Sequence, residues 1–236
     1  MKKSLLTMAL SASFLSAAAI SNVSAQELSI ELTNLTHGSH FTPLLVSAHG
    51  ADQHLFEIST AASGNLQAMA EGGDISGLVT DLSALNADVI ENPAAGLTTP
   101  GQTVSFDMYT QDSNTRLSIT AMILPSNDGF VGLDALYIPT ESGSYTYYLN
   151  AYDAGTEAND EIINGGGAPG APGVPADPLG QGGSNATGVT NVENNTQVHI
   201  HRGVIGDTDV NGGSSDLDSR VHRWLNPIAR LVIKVK

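Results

Sequence analysis

Apolar and polar residues alternate with a period of two along most of the chain. Residues 28–32 read Leu-Ser-Ile-Glu-Leu, 104–109 read Val-Ser-Phe-Asp-Met-Tyr and 117–121 read Leu-Ser-Ile-Thr-Ala, the pattern of antiparallel strands with one face buried. Similar runs at 43–49, 130–138, 145–151, 196–201 and 230–235 bring the expected number to about eight strands. Pro100-Gly101, Asn127-Asp128-Gly129 and Ser142-Gly143 supply turn residues between them. Between 61 and 89 the period changes. Leu66, Met69 and Ala70, then Leu78, Leu82 and Leu85, fall at helical spacing, so two short helices are expected there. Many strands with a small helical insertion predict an all-β fold, an antiparallel β-sandwich forming a single domain over 26–236.

Two segments break the pattern. Residues 165–188 read GGGAPGAPGVPADPLGQGGSNATG, a Pro/Gly tract that can neither donate a regular ladder nor pack a core. Because the strand-like runs 198–200 and 231–235 follow it, the tract is expected to be a flexible loop within the domain rather than a boundary. The other is the first 25 residues: Lys2 and Lys3, an apolar run over 5–20, then Val23-Ser24-Ala25. This is a signal-peptide pattern with cleavage after Ala25, and the run is too short and too rich in Ala and Ser to span a bilayer. The mature protein is expected to begin at Gln26, to lack a transmembrane segment and to be secreted or periplasmic.

Charge narrows the partners. Acids outnumber bases 24 to 9, the net charge is −15, and neither Lys nor Arg occurs between Gln26 and Thr115. Nucleic acid is excluded as a partner because phosphate neutralisation needs clustered Lys and Arg, and an anionic membrane surface is disfavoured for the same reason. An acidic surface suits high salt or divalent cations. The chain has no Cys, which excludes disulfides, thiolate nucleophiles and Cys-ligated zinc and makes a metal ion one candidate staple for an exported fold.

The densest chemistry follows the aromatic strand at 145–151. Asp153, Glu157, Asp160 and Glu161 crowd four carboxylates into nine residues. Unneutralised, they raise one another's pKa; with only oxygen ligands available the matching cation is hard, calcium before magnesium. Gly155 lets the chain turn so that Asp153 and Glu157 point to one centre, and Asp128, in a similar turn, is a third oxygen source. The alternative, that Asp128 and Asp153 make only Asx turns, is equally compatible with the spacing.

Two further constellations compete. The segment 207–218 has the oxygen pattern of a twelve-position calcium loop, with Asp207, Asp209 and Asp218 at positions one, three and twelve and Gly212 at six. Its last ligand is Asp instead of Glu and its position eight is Ser214, so a solvated hairpin is the alternative. His199 and His201 lie two apart on a strand, about 7 Å from each other on one side, a workable pair for zinc or copper with His222 as a third ligand and Glu193 as a general base. That would make a metal-dependent enzyme, although no HExxH, GxSxG or phosphate loop accompanies it. Solvent-facing or hydrogen-bonded histidines are the ordinary alternative.

The segment Ile123-Leu-Pro-Ser-Asn-Asp-Gly-Phe-Val-Gly132, followed by Tyr152-Asp-Ala-Gly-Thr-Glu157, resembles the spondin amino-terminal domain family, in which a Pro-Ser-x-Asp-x-Phe-Val-Gly strand precedes a Tyr/Trp-Asp-Ala-Gly-Thr-Asp turn. A more diffuse likeness extends over most of 28–236, including Leu55-Phe-Glu57 and Trp224-Leu-Asn-Pro227. The resemblance implies an antiparallel β-sandwich with one calcium held by Asp128, Asp153 and Glu157. Glu157 stands where the family has Asp, and the Cys residues of the animal domains are missing. The expected function is an exported, calcium-binding adhesion or ligand-binding module without catalysis, whose partner is an extracellular protein, glycan or lipid.

Overall fold

The computed structural model describes residues 25–236, so the expected signal segment lies almost wholly outside the described residues. In chain order the elements are β1 (Glu27–Asn34), β2 (His40–Phe41), β3 (Leu45–His49), α1 (Gly64–Gly72), α2 (Ser76–Ala84), β4 (Asp88–Glu91), β5 (Thr103–Tyr109), β6 (Arg116–Leu124), β7 (Gly129–Tyr137), β8 (Gly143–Asp153), β9 (His199–Ile200) and β10 (Ala229–Val235). The period-two runs become strands with the expected faces inward. Leu28, Ile30 and Leu32 of β1 meet Leu231, Ile233 and Val235 of β10 and Val104 and Met108 of β5 in one buried cluster, with Ile30 opposite Ile233 on one side and Phe106 on the other.

The sheet runs β4-β3-β6-β7-β8-β10-β1-β5, with every neighbouring pair antiparallel. It bends back on itself, as the cluster shows by joining Ile30 and Ile233 to Val46, Ile119 and Val131 from the other end. One long strand makes this possible. Residues Gly143 to Leu149 of β8 pair with β10, and Asn150 to Asp153 pair with β7 and, at the end, with β9. The all-β expectation with a small helical insertion holds. The strand count rises to ten because β2 and β4 are too short to show a period, and the run at 196–201 contracts to the two residues of β9.

The helices cover the outer face of β6. Ser63 caps α1 by accepting from the Leu66 N–H, and Gly73 ends it in the left-handed conformation. Leu66, Met69, Leu78 and Leu82 then pack on Met122, Leu124 and Phe130 in a second buried cluster. β6 is therefore buried on both faces after Arg116, and its end enters the tight turn that carries Asp128.

Candidate functional site

Two turns meet at the shared end of β7 and β8. In the turn before β7, Ser126 Oγ donates to Ile123 O (2.7 Å) and accepts from the Gly129 N–H (3.1 Å), setting the bend. Asn127 reaches outward: its Nδ2 donates to Asp160 Oδ1 (2.8 Å) and its Oδ1 accepts from the Glu161 N–H (3.1 Å). Asp128 Oδ2 crosses to the second turn and accepts from Thr156 N (2.8 Å) and Thr156 Oγ1 (3.2 Å). The turn after β8 is closed by Asp153, whose Oδ1 accepts from the Gly155 N–H (2.9 Å), and Asn159 Nδ2 donates to its Oδ2 (2.8 Å). The Asx-turn alternative thus describes Asp153; the bonds of Asp128 run between turns.

Asp128, Asp153 and Glu157 are all buried, at 0%, 2% and 8% exposure, and the two turns bring Asp128 within hydrogen-bond reach of the Glu157 backbone (3.4 Å). Glu157 Oε2 accepts from the Gly173 N–H (2.7 Å). Among the described residues, Asp128 Oδ1 and Glu157 Oε1 are buried with no hydrogen-bond partner. Burial, then the Asp153 charge, pushes the Asp128 carboxyl up to about 8, and burial pushes Glu157 up to about 7 against the opposing Gly173 amide. These are carboxyls without a countercharge. As the side chains stand, no three His, Asp or Glu groups among the described residues are gathered as an ion shell.

Asp160 and Glu161 belong to the structure rather than to an ion. Glu161 accepts from Ile205 N (2.6 Å), Gly206 N (2.8 Å) and Ser215 Oγ (2.6 Å), and Asp160 from Asn127 and the Ile162 N–H. The 207–218 segment is likewise closed on itself. Asp207 Oδ2 accepts from the amides of Ser214 and Ser215, while Asp218 is paired with Arg220 (2.6 Å) and held down to about 2 by that guanidinium. The segment is a loop closed by its own bonds, with a parallel bridge between Asp207 and Asp218 in place of a solvated hairpin.

β9 brings His199 and His201 to Asp153 Oδ2, at 3.7 and 4.0 Å from their Nε2 atoms. His222 does not join them; its Nε2 faces Asp177 Oδ1 at 3.4 Å. The Gly203 N–H donates to His201 Nδ1 (2.9 Å), so the neutral ring carries its proton on Nε2. Burial lowers this histidine to about 4 despite Asp153, so it is neutral at pH 7, and a protonated Nε2 is not a metal ligand. His199 hydrogen-bonds the Gln197 carbonyl through Nδ1 (2.8 Å) and alone presents a bare Nε2. The faces also differ from expectation: Val198, just before β9, is buried, but Ile200 is 46% exposed.

Sequence reasoning missed Asn127, Thr156 and Asn159. Asn127 lies inside the quoted motif but reads as a turn former, and nothing in the spacing marks Thr156 or Asn159 as partners of carboxylates. The Pro/Gly tract, expected to be a flexible excursion, is tied to the body: the Gly170 N–H donates to buried Glu71 (2.6 Å), Gly173 to Glu157, and the Val174 N–H to Ile162 O (2.7 Å), with Val174 fully buried. Buried carboxylates replace the ladder that such a composition cannot form. No described helix is long and apolar enough to cross a membrane. The family model described as Spondin_N matches residues 33–162, a span containing both turns, and no curated protein matches the chain.

Proposed function

Because the chain belongs to the Spondin_N family, we propose that it is an exported, non-catalytic binding module that holds calcium between the Asp128 turn and the turn carrying Asp153 and Glu157. Membership supports a non-catalytic module of extracellular type. The observation that carries the ion is the pair of orphaned, buried carboxylate oxygens, Asp128 Oδ1 and Glu157 Oε1. Carboxylates in this state need protons or a cation, and an all-oxygen donor set fits a hard cation such as calcium. Asp128, Asp153 and Glu157 would hold it, and the bound charge would clamp two turns already linked through Thr156. The stiffened rim would present a ligand-binding or adhesion surface to an extracellular protein, glycan or lipid.

The test is thermal melting of the 26–236 protein in calcium and in chelator. An extracellular-type site has a Kd on the order of 10⁻⁴–10⁻³ M, and calcium at ~10 times Kd adds about 1.4 kcal/mol, so the melting temperature rises by roughly 3–6 °C for a domain of this size. Identical melting in the two conditions overturns the calcium assignment. The competing reading, a transition-metal enzyme at His199 and His201, is opposed by the His201 tautomer. Replacing both histidines by Gln is expected to leave bound-metal content unchanged, and stoichiometric zinc or copper lost in that variant would reverse the ranking.

A further inference from the structure

A cleft of about 500 Å³ shares no residue with the carboxylate site. One wall is Leu35, just after β1; the other is Leu225, Pro227 and Ile228, just before β10. The walls are fixed to each other, since the Leu35 N–H donates to Ile228 O (2.8 Å) beside the Asn34–Ala229 pair that ends the β1–β10 ladder. Trp224 also lines the cleft, nearly buried and packed 5.1 Å from the His201 ring. Leu225 is 83% exposed and Leu35 44%, an uncovered apolar surface that calls for an occupant.

The charge of the cleft runs against that of the chain. No Asp or Glu lines it, whereas Arg223 and His37 do, in a protein of net charge −15. Four other basic side chains are engaged, Arg220 with Asp218, Arg230 with Thr33, Lys234 with Glu31 and Lys236 with Glu27, and exposed Arg202 does not line the cleft. Arg223 is exposed and has neither an ion pair nor a hydrogen bond among the described residues. Thr36 and Ser219 also line the cleft, and its apolar side, Leu35, Trp224, Leu225, Pro227 and Ile228, with one free guanidinium complements a molecule with an apolar body and a single anionic head. We propose that this cleft binds an acyl-chain carboxylate, a medium-chain fatty acid whose head pairs with Arg223 and whose chain lies along Leu35, Leu225 and Trp224. A charged bilayer is a poor occupant because its many anionic heads would face the acidic remainder of the surface.

Trp224 is the chain's one tryptophan, so its fluorescence reports occupancy. The 26–236 protein is titrated with decanoate, decanol, decyltrimethylammonium and the dipeptide Leu-Leu, each below its micelle concentration. Decanoate is expected to give a saturable change, decanol to bind about tenfold more weakly for want of a charge-assisted pair, and the ammonium compound to bind most weakly. Arg223→Gln should erase the preference of decanoate over decanol and leave decanol binding intact, whereas Leu225→Ser should weaken both. Both positions are exposed, and circular dichroism checks that the variants fold. Equal binding of decanoate and decanol, undiminished decanoate binding by Arg223→Gln, or no saturable signal overturns the proposal. Tighter binding of Leu-Leu than of decanoate also overturns it, assigning the cleft to peptide carboxyl termini.

Discussion

Gly155 shows how little freedom the site has at single residues. Its φ is +70°, and a Cβ there would lie 2.7 Å from Gln197 N and Thr196 C. Gly155→Ala is therefore expected to cost about 2 kcal/mol or more, combining left-handed strain with a backbone clash, measured as a shift in denaturation midpoint. Asp153→Asn is expected to behave differently. It keeps an acceptor for the Gly155 amide but removes the charge and the acceptor of Asn159 Nδ2, so the calcium-dependent rise in melting temperature should vanish while the fold persists with a lower melting temperature in chelator. The pH dependence follows from Asp128 and Glu157. Their folded-state pKa values, about 8 and about 7, lie above the ordinary 3.8 and 4.5, so between those limits the folded chain holds more protons than the unfolded chain, and stability falls as pH rises. Buried His201, lowered to about 4, and His40, His49 and His222, also lowered by burial, act in the opposite sense below about pH 6.5, so the carboxylates dominate above it, and in chelator the protein should melt higher at pH 7 than at pH 8. At the proposed site calcium would bind the deprotonated carboxylates and should reduce that difference, and a chelated protein more stable at pH 8 would contradict these assignments. Of the residues in the site, Asp128, Asp153, Glu157 and Gly155 were legible from two turns in the sequence. Thr156 and Asn159 were not, because a hydroxyl or an amide acquires its role only from the carboxylate that folding sets beside it.

At the scale of elements, the Pro/Gly tract is the segment whose behaviour composition misstated. Glu71, buried in the last turn of α1, accepts from Gln67 Nε2 (2.8 Å) and from the Gly170 N–H (2.6 Å). Asp216 likewise accepts from the Ile163 N–H (2.9 Å) and the Ala186 N–H (3.3 Å). Gly170 is exposed, so water replaces the lost acceptor and Glu71→Ala should cost only about 0.5–1.5 kcal/mol. Cleavage within 165–188 in limited proteolysis should speed up much more than global unfolding, and unchanged cleavage would show that the tie to α1 is immaterial. A second element-level feature explains a glycine inside the strand motif. A Cβ at Gly132 would lie 2.7 Å from Phe56 Cζ and 2.8 Å from Tyr152 Cδ2, so the bare backbone makes room for the Phe56–Phe130–Tyr152 ring cluster, whose centroids lie 4.8–5.6 Å apart.

For the whole molecule, β8 is the strand that both halves of the sheet need: its first part completes the ladder with β10 and its last part the ladder with β7. Neither half is a separate body, so unfolding is expected as one transition. Trp224 fluorescence, which senses the β1–β10 half, and far-UV dichroism, which includes the helices on the other half, should give coincident curves; separated midpoints would mean that the halves unfold independently. The sequence by itself determined the long strands, the two helices and the turns around Asp128 and Gly155, because each is written in a local period or in a residue whose backbone preference acts within a few positions. It also carried the family, through two short motifs in order. Only the tertiary structure decided that His201 is locked in a non-ligating tautomer by Gly203, that Glu71 holds Gly170, and that Leu35 and Leu225 wall one cleft. Those partners are backbone amides or residues far apart in the chain, and an amide that every residue carries leaves no mark in a sequence until folding places a carboxylate or a ring against it.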